Sequence, residues 1–118
     1  MAHVLVVDDD ATIRALVAEA LDLEGHSAEG AATGEEALGK VRGRKPDLVL
    51  LDLAMPDMDG AEFVQACRAD PEYADVPIVL MTAACDVERR SDELKAQGAL
   101  AKPFTLDQLD RAVADALA

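Results

Sequence analysis

The stretch Asp47–Asp52 reads as a buried strand: its run Leu48-Val49-Leu50-Leu51 is apolar at every position, too short for a helix, and closes on one carboxylate, Asp52. A segment without a polar face must be covered on both sides, which describes a central strand of a parallel sheet. The pattern recurs. Val4-Leu5-Val6-Val7 closes on Asp8-Asp9-Asp10, Ile78-Val79-Leu80-Met81 on Thr82, and the shorter Ala99-Leu100-Ala101 on Lys102-Pro103. Helical spacing fills the intervals, and each crossover supplies the cover the strands need. The chain therefore reads as an α/β fold, a parallel sheet with helices on both faces. In such a sheet the C-terminal strand ends share one edge, where sites collect. An acid pair, a lone acid, a hydroxyl and a lysine meet on that edge, the set of groups that phosphoryl transfer needs.

Along the chain, a strand over His3–Val7 leads to a helix over Ala11–Leu23. Asp10 or Thr12 caps it, Ile13, Leu16, Val17, Ala20 and Leu21 recur at helical spacing, and Gly25 stops it. A more polar strand over Ser27–Gly30 belongs at a sheet edge. Thr33-Gly34-Glu35-Glu36 opens a helix that ends near Gly43, with acids in its first turn and bases in its last. After the Asp52 strand, the loop Leu53–Gly60 carries Pro56 and Gly60, and a helix follows over Ala61–Ala69. A loop bracketed by Asp70-Pro71 and Pro77 leads to the fourth strand, Ile78–Met81. From Asp86 to Gln97 the spacing predicts a helix with a thin apolar stripe of Val87, Leu94 and Ala96, hence weakly anchored. The last helix, Leu106–Leu117, lines Leu106, Leu109, Val113 and Leu117 on one face. Five strands and five helices make one domain over residues 1–118.

Composition narrows the function. At 118 residues and 51% hydrophobic, the chain builds one core, and with 3% aromatics that core is mostly Leu, Val, Ile and Ala. A net charge of −13 argues against contact with nucleic acid or an anionic membrane. No apolar run approaches the roughly 20 residues that span a bilayer, and Met1 leads straight into a strand without a signal peptide. Cys67 and Cys85 lack metal-ligand spacing and are expected as reduced thiols. A cytoplasmic location follows as the expectation.

Four motifs in order, Val6-Val7-Asp8-Asp9-Asp10, Leu51–Gly60, Leu80-Met81-Thr82-Ala83 and Ala101-Lys102-Pro103-Phe104, resemble the receiver domain of bacterial two-component response regulators over essentially the whole length. Each residue has an ordinary reading alone: a helix cap, a strand-end hydroxyl, a surface lysine. Their joint occurrence at strand tips is what is specific. The resemblance implies a flavodoxin-like, doubly wound five-stranded sheet of order 2-1-3-4-5. It makes Asp52 the acceptor of a phosphoryl group from a sensor histidine kinase or a histidine phosphotransfer protein. It implies Mg2+ or Mn2+ held by Asp9 and Asp52, by Asp8 mainly through water, and by the backbone carbonyl of Ala54. Lys102 and Thr82 would each bind a phosphoryl oxygen, and the Lys102–Pro103 bond would be cis. Asp10 is assigned to capping. The chain would catalyse only its own phosphorylation and slow dephosphorylation, signalling to a downstream protein target by contact. Leu16, Ala20 and Pro103 are the candidate kinase-facing residues.

The chain also departs from the family. Receivers commonly carry an aromatic three positions before the lysine, and here that position is Ala99. Readout is then expected to pass through the loop and weak helix after Thr82. Ala54 and Ala84 occupy the positions that tune phosphate lifetime and predict intermediate self-hydrolysis. Two other readings of the family resemblance stand beside the switch: a degenerate receiver acting as a scaffold, and a receiver excised from a longer regulator. No output domain is expected within the stretch itself. An Asp-nucleophile phosphatase of the haloacid-dehalogenase type would need an acid at position 54, which is Ala. A nucleotide-binding module would need a glycine-rich loop after the first strand, and none follows.

Overall fold

The unbroken apolar runs do become the centre of a sheet. The computed structural model describes residues 2–52, 60–83, 96, 98–102 and 104–117, with backbone alone at 60, 61 and 83. In chain order the elements are β1 (His3–Val7), α1 (Ala11–Leu23), β2 (Ser27–Ala31), α2 (Gly34–Gly43), β3 (Leu48–Asp52), α3 (Gly60–Ala69), β4 (Ile78–Ala83), β5 (Gly98–Lys102) and α4 (Leu106–Leu117). The strands form one sheet in the order β2-β1-β3-β4-β5, and every pairing is parallel. The order agrees with the doubly wound expectation and puts polar β2 at an edge. Of the helix expected over Asp86–Gln97 only Ala96 is described, packed on the layer of Leu51 and Leu80; the rest of that segment, the Ala54 carbonyl, Ala84, Cys85 and Pro103 with its peptide bond lie outside the described residues.

Alternation along the strands divides the interior in two. Val4, Val6, Leu48, Leu50, Val79, Met81 and Leu100 pack against Val17, Ala20 and Leu21 of α1 and Leu109 and Val113 of α4. Leu5, Val7, Val49, Leu51, Ile78 and Leu80 face Ala37 and Val41 of α2 and Phe63, Val64 and Cys67 of α3. Each fully buried Leu, Val or Phe contributes about 1.5–3 kcal/mol, so these two layers supply the drive to fold.

Helix ends follow local chemistry. Asp10 caps α1, its Oδ1 accepting the N–H groups of Thr12 at 2.9 Å and Ile13 at 3.3 Å. Thr33 caps α2 by accepting from the Glu36 N–H at 3.1 Å, while Glu36 accepts from the N–H of Ala32, the residue before the cap, at 3.3 Å. Gly25 takes φ 88° just beyond α1, where a side chain would be strained. Arg68 donates to the carbonyls of Ala74 and Val76, both at 2.8 Å, fixing the loop that leads into β4.

The structure also moves several boundaries. β4 continues through Thr82 and Ala83, and β5 spans Gly98–Lys102, because their backbones stay paired (Thr82 opposite Ala101, Ala83 opposite Lys102) after the apolar runs end. Asp47 falls just outside β3, where its N–H donates to the His3 carbonyl at 2.7 Å. Leu106 is 62% exposed rather than core, since it opens α4 at the rim of the domain. Among the described residues no helix is long and apolar enough to cross a membrane.

Candidate functional site

Asp52 lies two residues beyond Leu50, Asp8 two beyond Val6, and Lys102 two beyond Leu100, so strand alternation aims all three toward the α1–α4 layer. Their side chains meet. The Lys102 ammonium lies 3.2 Å from Asp52 Oδ1 and 3.6 Å from Asp8 Oδ2. Asp9, exposed at the start of the turn into α1, completes an acidic cluster: one carboxylate oxygen from each of Asp8, Asp9 and Asp52 lies within 4.8 Å of the others. Thr82 lies two residues beyond Leu80 and so continues the opposite layer, at the tip of the neighbouring strand. It is buried, as are Asp8 and Asp52.

Burying acids together has a cost that the site shows. The Asp8 carboxyl is held above its ordinary value, first by burial and then by the charges of Asp52 and Asp9, against the pull of the Asp10 N–H and Lys102. Its Oδ1 accepts the Asp10 N–H at 2.9 Å, whereas Oδ2 is buried without a hydrogen-bond partner. At 3.6 Å the lysine gives that oxygen charge but no hydrogen bond. An orphaned carboxylate oxygen among three acids, all of them hard oxygen donors, fits a small divalent cation such as Mg2+ or Mn2+. Asp10 is spent on its cap and stands apart from the cluster.

Ala99 sits opposite Leu80 and packs on the same layer that Thr82 continues. A groove of about 390 Å3 lies along β5 and α4, lined by Ala99, Ala101, Gln108 and Arg111 among others. A second, more apolar groove of about 430 Å3 runs between α1 and α4 beside Lys102, lined by Ile13, Leu16, Val17, Phe104, Leu106 and Leu109. Of the kinase-facing candidates, Leu16 is 56% exposed and lines that groove, but Ala20 is buried in the core. Helical spacing fixes the direction of a side chain and leaves its depth open.

Sequence reasoning passed over Arg14. Its Nη1 donates to the Asp8 carbonyl at 2.7 Å. The detectable sign lay on another strand: Gly30 inside β2, the kind of glycine that admits a close neighbour.

A doubly wound parallel sheet with three carboxylates and a lysine on its C-terminal edge defines a flavodoxin-like domain with a cation-ready acidic tip. The chain belongs to the response regulator receiver domain family, whose model matches residues 4–114. It is 39% identical over 112 residues to sporulation initiation phosphotransferase F of Bacillus subtilis, covering 93% of this chain and 89% of that protein. It is 39% identical over 116 residues to the probable transcriptional regulator ycf27 of Porphyridium aerugineum, covering 97% of this chain but 47% of that protein. The chain thus spans about half the length of such regulators. Among solved structures it resembles the chemotaxis response regulator CheY4 of Vibrio cholerae, with a TM-score of 0.93 at 37% identity over 99% of each chain.

Proposed function

We propose that the chain is a phosphorylation-controlled switch in which Asp52 accepts a phosphoryl group from a histidine kinase or a histidine phosphotransfer protein. The observation that carries this reading is the convergence of Lys102 on Asp52 and Asp8 beside Asp9. In the reaction an Asp52 carboxylate oxygen forms a bond to phosphorus as the phosphorus–nitrogen bond of phosphohistidine breaks, and the imidazole leaves with the electron pair. Lys102 would turn from the carboxylates toward a phosphoryl oxygen, and Thr82 would donate its hydroxyl to another. Asp9 and Asp52, with Asp8 mainly through water and the Ala54 carbonyl, would hold a divalent cation, which would supply charge neutralisation for the anionic phosphoryl group. No separate substrate is turned over. The apolar groove beside Lys102, with exposed Leu16 and Leu106, offers the partner a place to dock with its phosphohistidine near the tip. Downstream, the signal passes to a protein target by contact, without nucleic acid or membrane insertion.

The test is intact mass after incubation with acetyl phosphate and Mg2+, alongside Asp52→Asn and an EDTA control. One phosphoryl adduct, lost in the variant and in EDTA, supports the switch. An unmodified wild type sinks it and favours a scaffold that signals by contact alone, for which Ala99 in place of the usual aromatic is the supporting feature.

A further inference from the structure

Asp8 is fixed at three of its four polar atoms. Its N–H donates to the Ala31 carbonyl at 3.1 Å, its Oδ1 accepts the Asp10 N–H at 2.9 Å, and its carbonyl accepts Arg14 Nη1 at 2.7 Å. The remaining atom, Oδ2, is the one turned toward Lys102.

Two of these ties are backbone donors local to the strand tips. The third comes from a side chain whose stem lies against Gly30 of β2. A Cβ on Gly30 would stand 3.3 Å from Arg14 Cδ, tighter than ordinary contact, and 3.4 Å from Nε, so the arginine stem lies in the slot the glycine leaves. The slot is itself braced, because the Gly30 carbonyl accepts the Lys40 ammonium, which pairs with Glu36 at 3.4 Å. A flat guanidinium passes such a slot and still presents a directed N–H, which a rounder, strongly hydrated ammonium does less well.

We propose that Arg14 is a positioning residue for the cation pocket, clamping the Asp8 backbone so that Oδ2 stays aimed at the ion, and that Gly30 is the slot it requires. The inference rests on the proposed role of Asp8, Asp9 and Asp52 as the cation-holding acids. Groups that hold a metal ligand from behind change affinity about 10- to 100-fold when removed. Arg14 bonds the Asp8 carbonyl and not its carboxylate, so its loss acts on occupancy rather than on the chemical step.

The experiment measures Mg2+ affinity by titration calorimetry and, separately, the rate of acetyl phosphate labelling against Mg2+ concentration. Arg14→Ala is expected to weaken Mg2+ binding about 10- to 100-fold. Its labelling rate at saturating Mg2+ stays near wild type, the pattern of lost binding without lost chemistry. Arg14→Lys recovers part of the affinity. Gly30→Val, which drives the arginine off, weakens binding like Arg14→Ala, and combining the two is no worse than either alone. Unchanged Mg2+ affinity in Arg14→Ala, with only a lower melting temperature, overturns the proposal by making the arginine merely structural. Should Arg14→Ala not fold, Gly30→Ala and Gly30→Val form the graded series, and unaltered affinity in both overturns it equally. A wild type that takes up no phosphoryl group would sink the functional reading instead, so the two failures are distinct.

Discussion

Lys102 Nζ lies 3.2 Å from Asp52 Oδ1, so the ammonium offsets charge in a pocket where acids outnumber bases. Removing it should expose that imbalance. In EDTA, Lys102→Met is expected to cost about 1–3 kcal/mol by urea unfolding, less than a fully buried pair because the lysine stays 35% exposed. Excess Mg2+ should recover part of the loss. Equal deficits with and without Mg2+ would separate the lysine from the cation pocket.

Asp8 gives the site a pH signature. Burial holds its folded-state carboxyl above the ordinary 3.8, so the folded protein binds that proton more tightly than the unfolded chain. The stability this contributes is complete below the unfolded value and is lost as pH rises through the folded one. Asp8→Asn keeps an acceptor for the Asp10 N–H and never ionises. In EDTA it should gain stability over wild type as pH climbs from about 4 toward neutrality, with the gap closing in acid. The same variant should need more Mg2+ for labelling. A pH-independent difference would refute the assignment.

Asp10 separates capping from metal binding. Asp10→Ala should cost about 1 kcal/mol from the lost α1 cap, while Asp10→Ser, which can still cap, should stay within about 0.5 kcal/mol. Neither should alter Mg2+ affinity much, since Asp10 lies outside the acid cluster. A calorimetric titration of both variants checks this.

Cys67 is buried and its thiol is pushed up to about 11 by that burial. At pH 8, in a Cys85→Ser background, native alkylation by iodoacetamide should run roughly 100-fold slower than for the unfolded chain. The stability tied to the protonated thiol is complete below the ordinary value of 9.0 and fades as pH rises toward the folded one. Cys67→Ala should flatten that alkaline slope, which pH-dependent urea unfolding would read.

Most of the sheet was legible because Leu48–Leu51 and its counterparts have no polar face to misplace. Asp8, Asp52, Thr82 and Lys102 were legible for the same reason, as the first polar groups after such runs. Strand ends were less so. Thr82 and Lys102 sit inside β4 and β5 because backbone pairing continues where hydrophobicity stops. Depth was ambiguous on the helices, as exposed Leu16 and Leu106 and buried Ala20 show. Arg14 escaped notice because the room for its stem beside Gly30 depends on the register of β1 with β2, which aligns Val6 with Gly30 and cannot be read from either segment alone.

Strand alternation divides the sheet's side chains into two layers, and Asp52, two beyond Leu50, and Thr82, two beyond Leu80, continue opposite ones. A group gripped by both residues would be a keystone, resting on each half of the domain and on neither alone. On the proposed reading a phosphoryl group there would touch both layers at once, so one small covalent event at the tip would be felt on either flank of the molecule.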